Sequence, residues 1–377
     1  MLVSACIAGV LVGLSTACTR SEAPNGTVSG ESVTNVTSTL AVSLNGGIEK
    51  FLQTYSYYDS IRAVLVSVDG QPVVERYTGS TSDQSWNVAS ITKSVVSTLV
   101  GIAVAEHRLA GLDQNLATVL PAYAAIMRPE VAAITVRQLL TMTAGFPDTW
   151  DGDASFVSSP DWVRAILTAG IDEPPGRFFA YSDAGPHLLS AILTRATGQS
   201  VLEYARAKLF DPLGIPTEPA TDIVAVPGNT EMYDATKGFT WPVDPQGFQV
   251  GCCLLTLRPA DLLKLGQLYL DQGQWNGNPV LPSAWVQEAT TSHIPAANVV
   301  ADGGYGYLWW VLDAAGAPAF AAVGYGGQLI EVVPARRLVV VVSSEFSLAG
   351  QDPTRLVATP VLAQMVSQVI APAFPSR

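Results

Sequence analysis

The sequence predicts an α+β fold: an antiparallel sheet of about five strands flanked by helices and built from both ends of the chain, with a mostly helical lobe inserted between. Two alternating, hairpin-like runs at 62–68 and 72–77 find their counterparts only far downstream, in strand-like runs at 307–312, 317–323, 329–333 and 338–343. The stretch between them spaces its apolar residues as helices do. A chain of 377 residues with 48% hydrophobic and 14% charged side chains can bury one large core or two smaller ones.

Taken in order, residues 48–58 are helical in pattern, and Asp69-Gly70 between the first two strand runs is a hairpin signal. A long apolar helix then starts near Ser90 and ends near His107. Further helices are expected at 135–143, ending near Gly145, at 159–169, at 184–197, ending at Gly198, and at 200–210, stopped by Pro212. After the downstream strands a final helix covers 353–370. The expected lobes are therefore 47–115 plus 250–377, holding the sheet, and 116–249, mostly helical. A cleft between lobes is a usual place for a site.

Residues 1–18 are apolar and short for a transmembrane helix, and they read as a secretory signal. Leu14-Ser15-Thr16-Ala17-Cys18 resembles a lipoprotein cleavage box, in which Cys18 becomes the lipidated N-terminus, although no Lys or Arg precedes the apolar run. Residues 19–46, rich in Ser, Thr, Gly and Asn, are expected to form a flexible tether. This points to an exported protein, membrane-anchored through Cys18 or otherwise secreted or periplasmic. A net charge of -12 with no basic cluster argues against nucleic acid or an anionic membrane surface as a partner. Of four cysteines, Cys6 and Cys18 belong to the signal, and the adjacent Cys252 and Cys253 bridge only with strain. No His or further Cys stands at metal-ligand spacing, so these two read as small core side chains, and neither a metal site nor a structural disulfide is expected.

Three segments carry chemistry. Ser90 lies three residues before Lys93 in Trp86-Asn87-Val88-Ala89-Ser90-Ile91-Thr92-Lys93, at the first turn of the long helix. At this spacing both side chains share a helix face, so an unprotonated Lys93 can take the Ser90 proton while the helix N-terminus stabilises developing negative charge. Ser-x-x-Lys also arises by chance at surface helix starts, but the chain has only five lysines and Lys93 alone follows a serine at this interval. Next, Tyr181-Ser182-Asp183 separates the loop Glu173-Pro174-Pro175-Gly176-Arg177 from a helix. A tyrosine there can relay protons if a cation lowers its pKa; the alternative is a buried ring with a satisfied hydroxyl. Third, the glycines of Val323-Gly324-Tyr325-Gly326-Gly327-Gln328 either let a ligand reach free N–H groups, completing an oxyanion hole with the Ser90 amide, or simply make a tight turn.

In this order the three segments resemble the serine β-lactamase and penicillin-binding-protein superfamily, whose motifs are Ser-x-x-Lys, Tyr-x-Asn and Lys-Thr-Gly or a variant. The resemblance runs from about residue 50 to 370. Leu139-Leu140-Thr141-Met142-Thr143-Ala144-Gly145, Leu209-Phe210-Asp211-Pro212-Leu213-Gly214-Ile215, Arg258-Pro259-Ala260-Asp261-Leu262, Tyr305-Gly306-Tyr307-Leu308-Trp309-Trp310 and Gly326-Gly327-Gln328 look like the branch holding class C β-lactamases, esterases and 6-aminohexanoate-dimer hydrolases. The resemblance implies a β-lactamase/transpeptidase-like fold and a serine hydrolase working through an acyl-enzyme. In it Ser90 attacks, Lys93 is the general base, Tyr181 passes the proton to the leaving group and later activates water, and the amides of Ser90 and Gly327 hold the oxyanion.

Two departures bear on the substrate. Where Lys or His usually begins the third motif this chain has Gly324, so the cation that helps bind a β-lactam or D-alanyl carboxylate is missing; Arg336 or Arg337 compensates only if the fold brings one to the cleft. At the third position of Tyr-x-Asn stands Asp183, which beside Lys93 would favour the charged, poorly basic amine, or would grip a substrate ammonium. Trp150, Tyr233, Trp241, Phe248, Trp309 and Trp310 are candidates for an apolar cleft wall, and Asp183, Gly324, Tyr325, Gly326 and Trp309 are the expected substrate contacts. Together these favour a neutral, partly apolar small ester or amide. The alternatives are a β-lactamase or D,D-carboxypeptidase and, from another class, a non-catalytic surface protein that binds a peptidoglycan-like or lactam ligand. None of the three histidines sits in a known catalytic pattern, His187 is expected to be structural, and no cofactor motif is present.

Overall fold

The computed structural model describes residues 33–54, 59–147, 156–234, 238–296, 303–345 and 359–376. The signal segment 1–18 with Cys18, the tether up to residue 32, Trp150 and the expected helix before residue 359 lie outside the described residues. Among the described residues no helix is long and apolar enough to cross a membrane.

Helix α1 covers Val33–Gln53 and corrects the tether expected through residue 46. Its Ser/Thr/Gly-rich composition hides a stripe at helical spacing, Leu40, Leu44, Ile48 and Phe51, of which Leu44 and Ile48 are buried in the core. Strands β1 (Ile61–Val68) and β2 (Gln71–Tyr77) form the expected hairpin, with Asp69 and Gly70 both at positive φ, as a tight hairpin turn requires. Helix α2 (Ile91–Ala105) has every side chain from Ile91 to Ala103 buried. A mostly apolar helix covered on every side belongs inside the molecule, and this one packs on the sheet and on the helices of the middle region.

The middle region supplies α3 (Val136–Leu140), α4 (Trp162–Ala169), α5 (Ala184–Thr197) and α6 (Val201–Ala205). Side-chain caps set their starts: Thr135 with Gln138 for α3, Asp161 for α4, and Ser200 with Glu203 for α6. Gly198, in the left-handed region, ends α5. Among the described residues, none of the strands of the large sheet comes from 116–249.

Then follow α7 (Pro259–Leu270), α8 (Ser283–Ala289), the strands β3 (Ile294–Pro295), β4 (Gly304–Tyr305), β5 (Trp310–Asp313), β6 (Pro318–Gly324), β7 (Gln328–Val333) and β8 (Leu338–Ser344), and α9 (Thr359–Met365). Among the described residues the sheet has eight strands in the order β2-β1-β8-β7-β6-β5-β4-β3, rather than about five. The two strands with no counterpart among the six strand-like runs, β3 and β4, are two residues long, too short to show an alternating pattern in sequence. Strand β8 pairs with β1 along Ile61↔Ser344 to Val68↔Leu338, which joins the two ends of the chain next to the edge strand β2. All seven residues of β8 are buried, as the run of β-branched residues anticipates. Helix α7 lies over β8, β7 and β1, α2 meets β6 and β7, and α1 packs on β2 and on the turns that follow α9.

Candidate active site

The site forms where α2 begins. The short strand Trp86–Asn87 pairs with Thr256–Leu257, and the chain then turns sharply into the helix. Asn87 Oδ1 accepts the Ala89 N–H at 2.8 Å, and Ala89 takes a φ of 47°, a left-handed conformation that costs a non-glycine residue energy. The turn leaves Ser90 half-buried at the N-cap with its side chain uncommitted to capping.

Lys93, one turn on, is 1% exposed. Its ammonium donates to Ser90 Oγ at 2.8 Å, to Asp183 Oδ1 at 2.5 Å and to the Cys252 carbonyl at 2.9 Å. Burial, the largest single influence, lowers the amine's affinity for its proton, but Asp183 together with Tyr181, Cys252 and Cys253 outweighs it and holds Lys93 well above the ordinary lysine range. Tyr181 completes the group. Lys93 Nζ lies 4.9 Å from its ring centroid, and the Ser90 and Lys93 side chains both favour the ionised form of its hydroxyl. Burial raises the Tyr181 phenol and the Lys93 charge opposes this without cancelling it, so the ring stays protonated near neutrality. At rest, then, neither side chain is a free base.

The third wall is the turn between β6 and β7. Gly326 and Gly327 have φ of 79° and 98°, which only glycine adopts without strain. Ser344 Oγ donates to the Gly327 carbonyl at 2.9 Å, and Gln328 ties β7 to β8 through the Ser344 carbonyl at 2.6 Å. Among the described residues the N–H groups of Ser90 and Gly327 donate to no protein acceptor.

Gly324 serves differently from the expectation that it contacts substrate. A Cβ there would stand 2.3 Å from the Val88 carbonyl and 3.2 Å from Ala89 Cβ, so the strand lies directly on the turn that carries Ser90. The side chain exposed at this strand end is Tyr325, at 47%. Arg336 and Arg337 do not supply the missing cation, since they lie in the β7–β8 turn at the opposite end of the strands. There Arg337 pairs with Asp69 and Asp271, and Arg336 donates to the Phe374 and Ala315 carbonyls.

Trp309 is corrected as well: it is 1% exposed, its ring centroid 4.3 Å from that of Tyr269, and it belongs to the core. Its neighbour Trp310 is the one that meets the site, stacking on Tyr181 with centroids 5.9 Å apart. Trp241 is buried against Phe210, while Tyr233 and Phe248 are partly buried against the core.

Sequence reasoning missed three contributors: the Asn87 side chain, the Ser344 hydroxyl and the Cys252 carbonyl. The last has no sequence signal, because a main-chain oxygen carries no residue identity. His187 is structural, as expected, but what it supports is this loop. Its Nε2 lies 3.1 Å from Asp244 Oδ2, both side chains fully buried, while Nδ1 faces the Gly251 N–H at 3.5 Å, next to Cys252. Cys252 and Cys253 are both free thiols with Sγ atoms 3.2 Å apart, and burial keeps the Cys252 thiol protonated. No group of three or more His, Cys, Asp or Glu able to hold a metal ion occurs among the described residues.

A serine at a helix N-terminus beside a buried lysine and a tyrosine, set against a sheet strand, is the arrangement of the β-lactamase-fold serine hydrolases. The family model described as "Beta-lactamase" matches residues 62–356, and the chain belongs to that family. It is 29% identical over 300 residues to penicillin-binding protein 4 of Amycolatopsis lactamdurans, covering 72% of this chain and 77% of that one. Among solved structures, a putative 6-aminohexanoate-dimer hydrolase from Bacillus anthracis superposes with a TM-score of 0.64 at 18% identity, over 84% of this chain and 79% of the other. EstCE1, described as a hydrolase with promiscuous acyltransferase activity, superposes with a TM-score of 0.66 at 18% identity, over 88% of this chain and all (100%) of the other.

Proposed function

We propose that this protein hydrolyses a small, neutral, partly apolar ester or amide through an acyl-enzyme on Ser90. The observation that carries the reading is the 2.8 Å contact between Lys93 Nζ and Ser90 Oγ, made at a half-buried helix N-terminus. Ser90 Oγ bonds to the substrate carbonyl carbon, its proton passing into the lysine group, and the resulting oxyanion is held by the two uncommitted amides of Ser90 and Gly327. Tyr181 hands a proton to the departing alcohol or amine and then orients the water that releases the acid. The neutral-substrate preference follows from the third motif, where the exposed side chain is the phenol of Tyr325 and not a cation.

A second reading, penicillin recognition, draws support from the 29% identity to a penicillin-binding protein. Intact mass after timed exposure to 4-nitrophenyl acetate and to a penicillin, with product release followed in parallel, separates the two. Ester turnover without a lasting adduct, lost in Ser90→Ala, is the expected result. A long-lived penicillin adduct on Ser90 would favour the second reading, and no reaction with either would point to a binding protein.

A further inference from the structure

The buried lysine raises a proton problem that the roles above leave open. If Lys93 is already an ammonium with its three donors placed on Ser90, Asp183 and Cys252, it has no lone pair with which to take the serine proton.

We propose that Asp183 is the proton acceptor behind Lys93, so that the general base is the lysine–aspartate pair and not the lysine alone. This rests on the reading of Ser90 as the nucleophile. Asp183 occupies the N-cap position of the 14-residue helix α5, yet its side chain makes no cap hydrogen bond. Ser182 Oγ accepts the Ala184 N–H at 3.2 Å instead, which leaves the Asp183 carboxylate free to reach Lys93. The start of a helix favours a negative charge there. Lys93 thereby bridges Ser90 and Asp183, residues from two separate helix starts.

The proton count closes without any outside reagent. As Ser90 Oγ bonds to the carbonyl carbon, its O–H bond breaks and the proton moves to Lys93 Nζ. Lys93 in turn releases a proton along its contact with Asp183, which becomes the neutral acid while the lysine remains an ammonium. The negative charge thus moves from Asp183 to the substrate oxyanion. When the carbonyl re-forms and the carbon–leaving-group bond breaks, the leaving alcohol or amine takes a proton from the Tyr181–Lys93 group, and Asp183 refills it. Deacylation repeats the cycle with water in place of Ser90. Asp183 acts through Lys93 and never touches substrate, so it is a positioning residue whose mark is on the pH dependence.

The test compares kcat/KM for 4-nitrophenyl acetate from pH 5.5 to 9 in the wild type, Asp183→Asn and Asp183→Glu. In the wild type the active form is the ion pair, and kcat/KM is expected to change less than about twofold between pH 6 and 8. In Asp183→Asn the base must be a neutral amine, so kcat/KM should fall roughly tenfold per pH unit on the acid side. Asp183→Glu should restore the flat profile at reduced kcat. Superimposable profiles for wild type and Asp183→Asn, with Ser90→Ala inactive, would overturn this inference alone; turnover surviving in Ser90→Ala would overturn the reading beneath it. Should Asp183→Asn fail to fold, a proton inventory in mixed light and heavy water decides on the wild type. A curved dependence of kcat/KM on deuterium fraction shows two protons in flight, as proposed, and a linear one overturns the relay.

Discussion

Two carboxylates in this molecule, one partly and one wholly buried, are treated in opposite ways. Asp183 lies at the head of α5, 2.5 Å from Lys93, and its carboxylate favours the charged form of that amine. Glu331 lies mid-strand in β7, opposite Ala321 and Val340, wholly buried, with neither side-chain oxygen hydrogen-bonded. Burial alone pushes its carboxyl up to about 8, so it is mostly neutral at physiological pH. A buried charge survives where a partner and a dipole repay its lost hydration, and otherwise it is discharged. The site invests in the first arrangement because proton transfer needs groups that can exchange charge. The sheet tolerates the second as a stability cost.

The sharpest way to break this contrast is to remove Lys93. In Lys93→Ala the acyl-enzyme rate should fall by roughly a thousandfold or more, and Asp183 loses its counter-charge. Rapid-quench acylation with the nitrophenyl ester measures the first effect. The second shows as a fall in Tm that a further Asp183→Asn change partly reverses. If the double variant is no more stable than the single one, the pair is not electrostatically coupled.

Glu331 sharpens the other half. Its carboxyl value is raised from 4.5 to about 8, so between those values the unfolded chain has lost a proton that the folded chain keeps. Stability therefore falls as pH rises through that window, by at most about 1.4 kcal/mol per pH unit, and levels off above it. Chemical denaturation at pH 5 and pH 8.5 should show this loss in the wild type and little of it in Glu331→Gln. Parallel losses in both proteins would assign the pH dependence elsewhere.

Gly324 tests the packing on which the site rests. In Gly324→Ala the new Cβ meets the Val88 carbonyl, and moving β6 off the Ser90 turn should lower kcat/KM by about a hundredfold. Overall destabilisation should be only about 1–3 kcal/mol, read from the denaturation midpoint. The smallest effect is expected in Cys252→Ser. Lys93 uses the main-chain oxygen, so kcat/KM should stay within about twofold, in line with this contact's indifference to the side chain.

Much of this was legible from residues. Ser90 and Lys93 meet because three residues make most of a helical turn, a local fact, and Tyr181 and Gly327 stand out by ordered motifs. Strands β6, β7 and β8 announce themselves through β-branched runs between turn residues. The choice between Trp309 and Trp310 was not legible, since adjacent residues leave the backbone in different directions and nothing in the sequence says which one meets the core. Nor was the helical start of α1, whose apolar stripe is diluted by polar residues.

By itself the sequence determined the fold class and which residue types the site would hold, because helix period, capping and turn chemistry act over a few neighbouring residues. Tertiary structure alone decided what those residues do to one another. Asp183 comes to Lys93 across 90 positions and the Cys252 carbonyl across 159. Gly324 comes against Val88 the same way. Distances between residues so far apart in the chain are set by how the helices and the sheet pack, and the protonation of a buried lysine depends on those distances and not on its place in the chain.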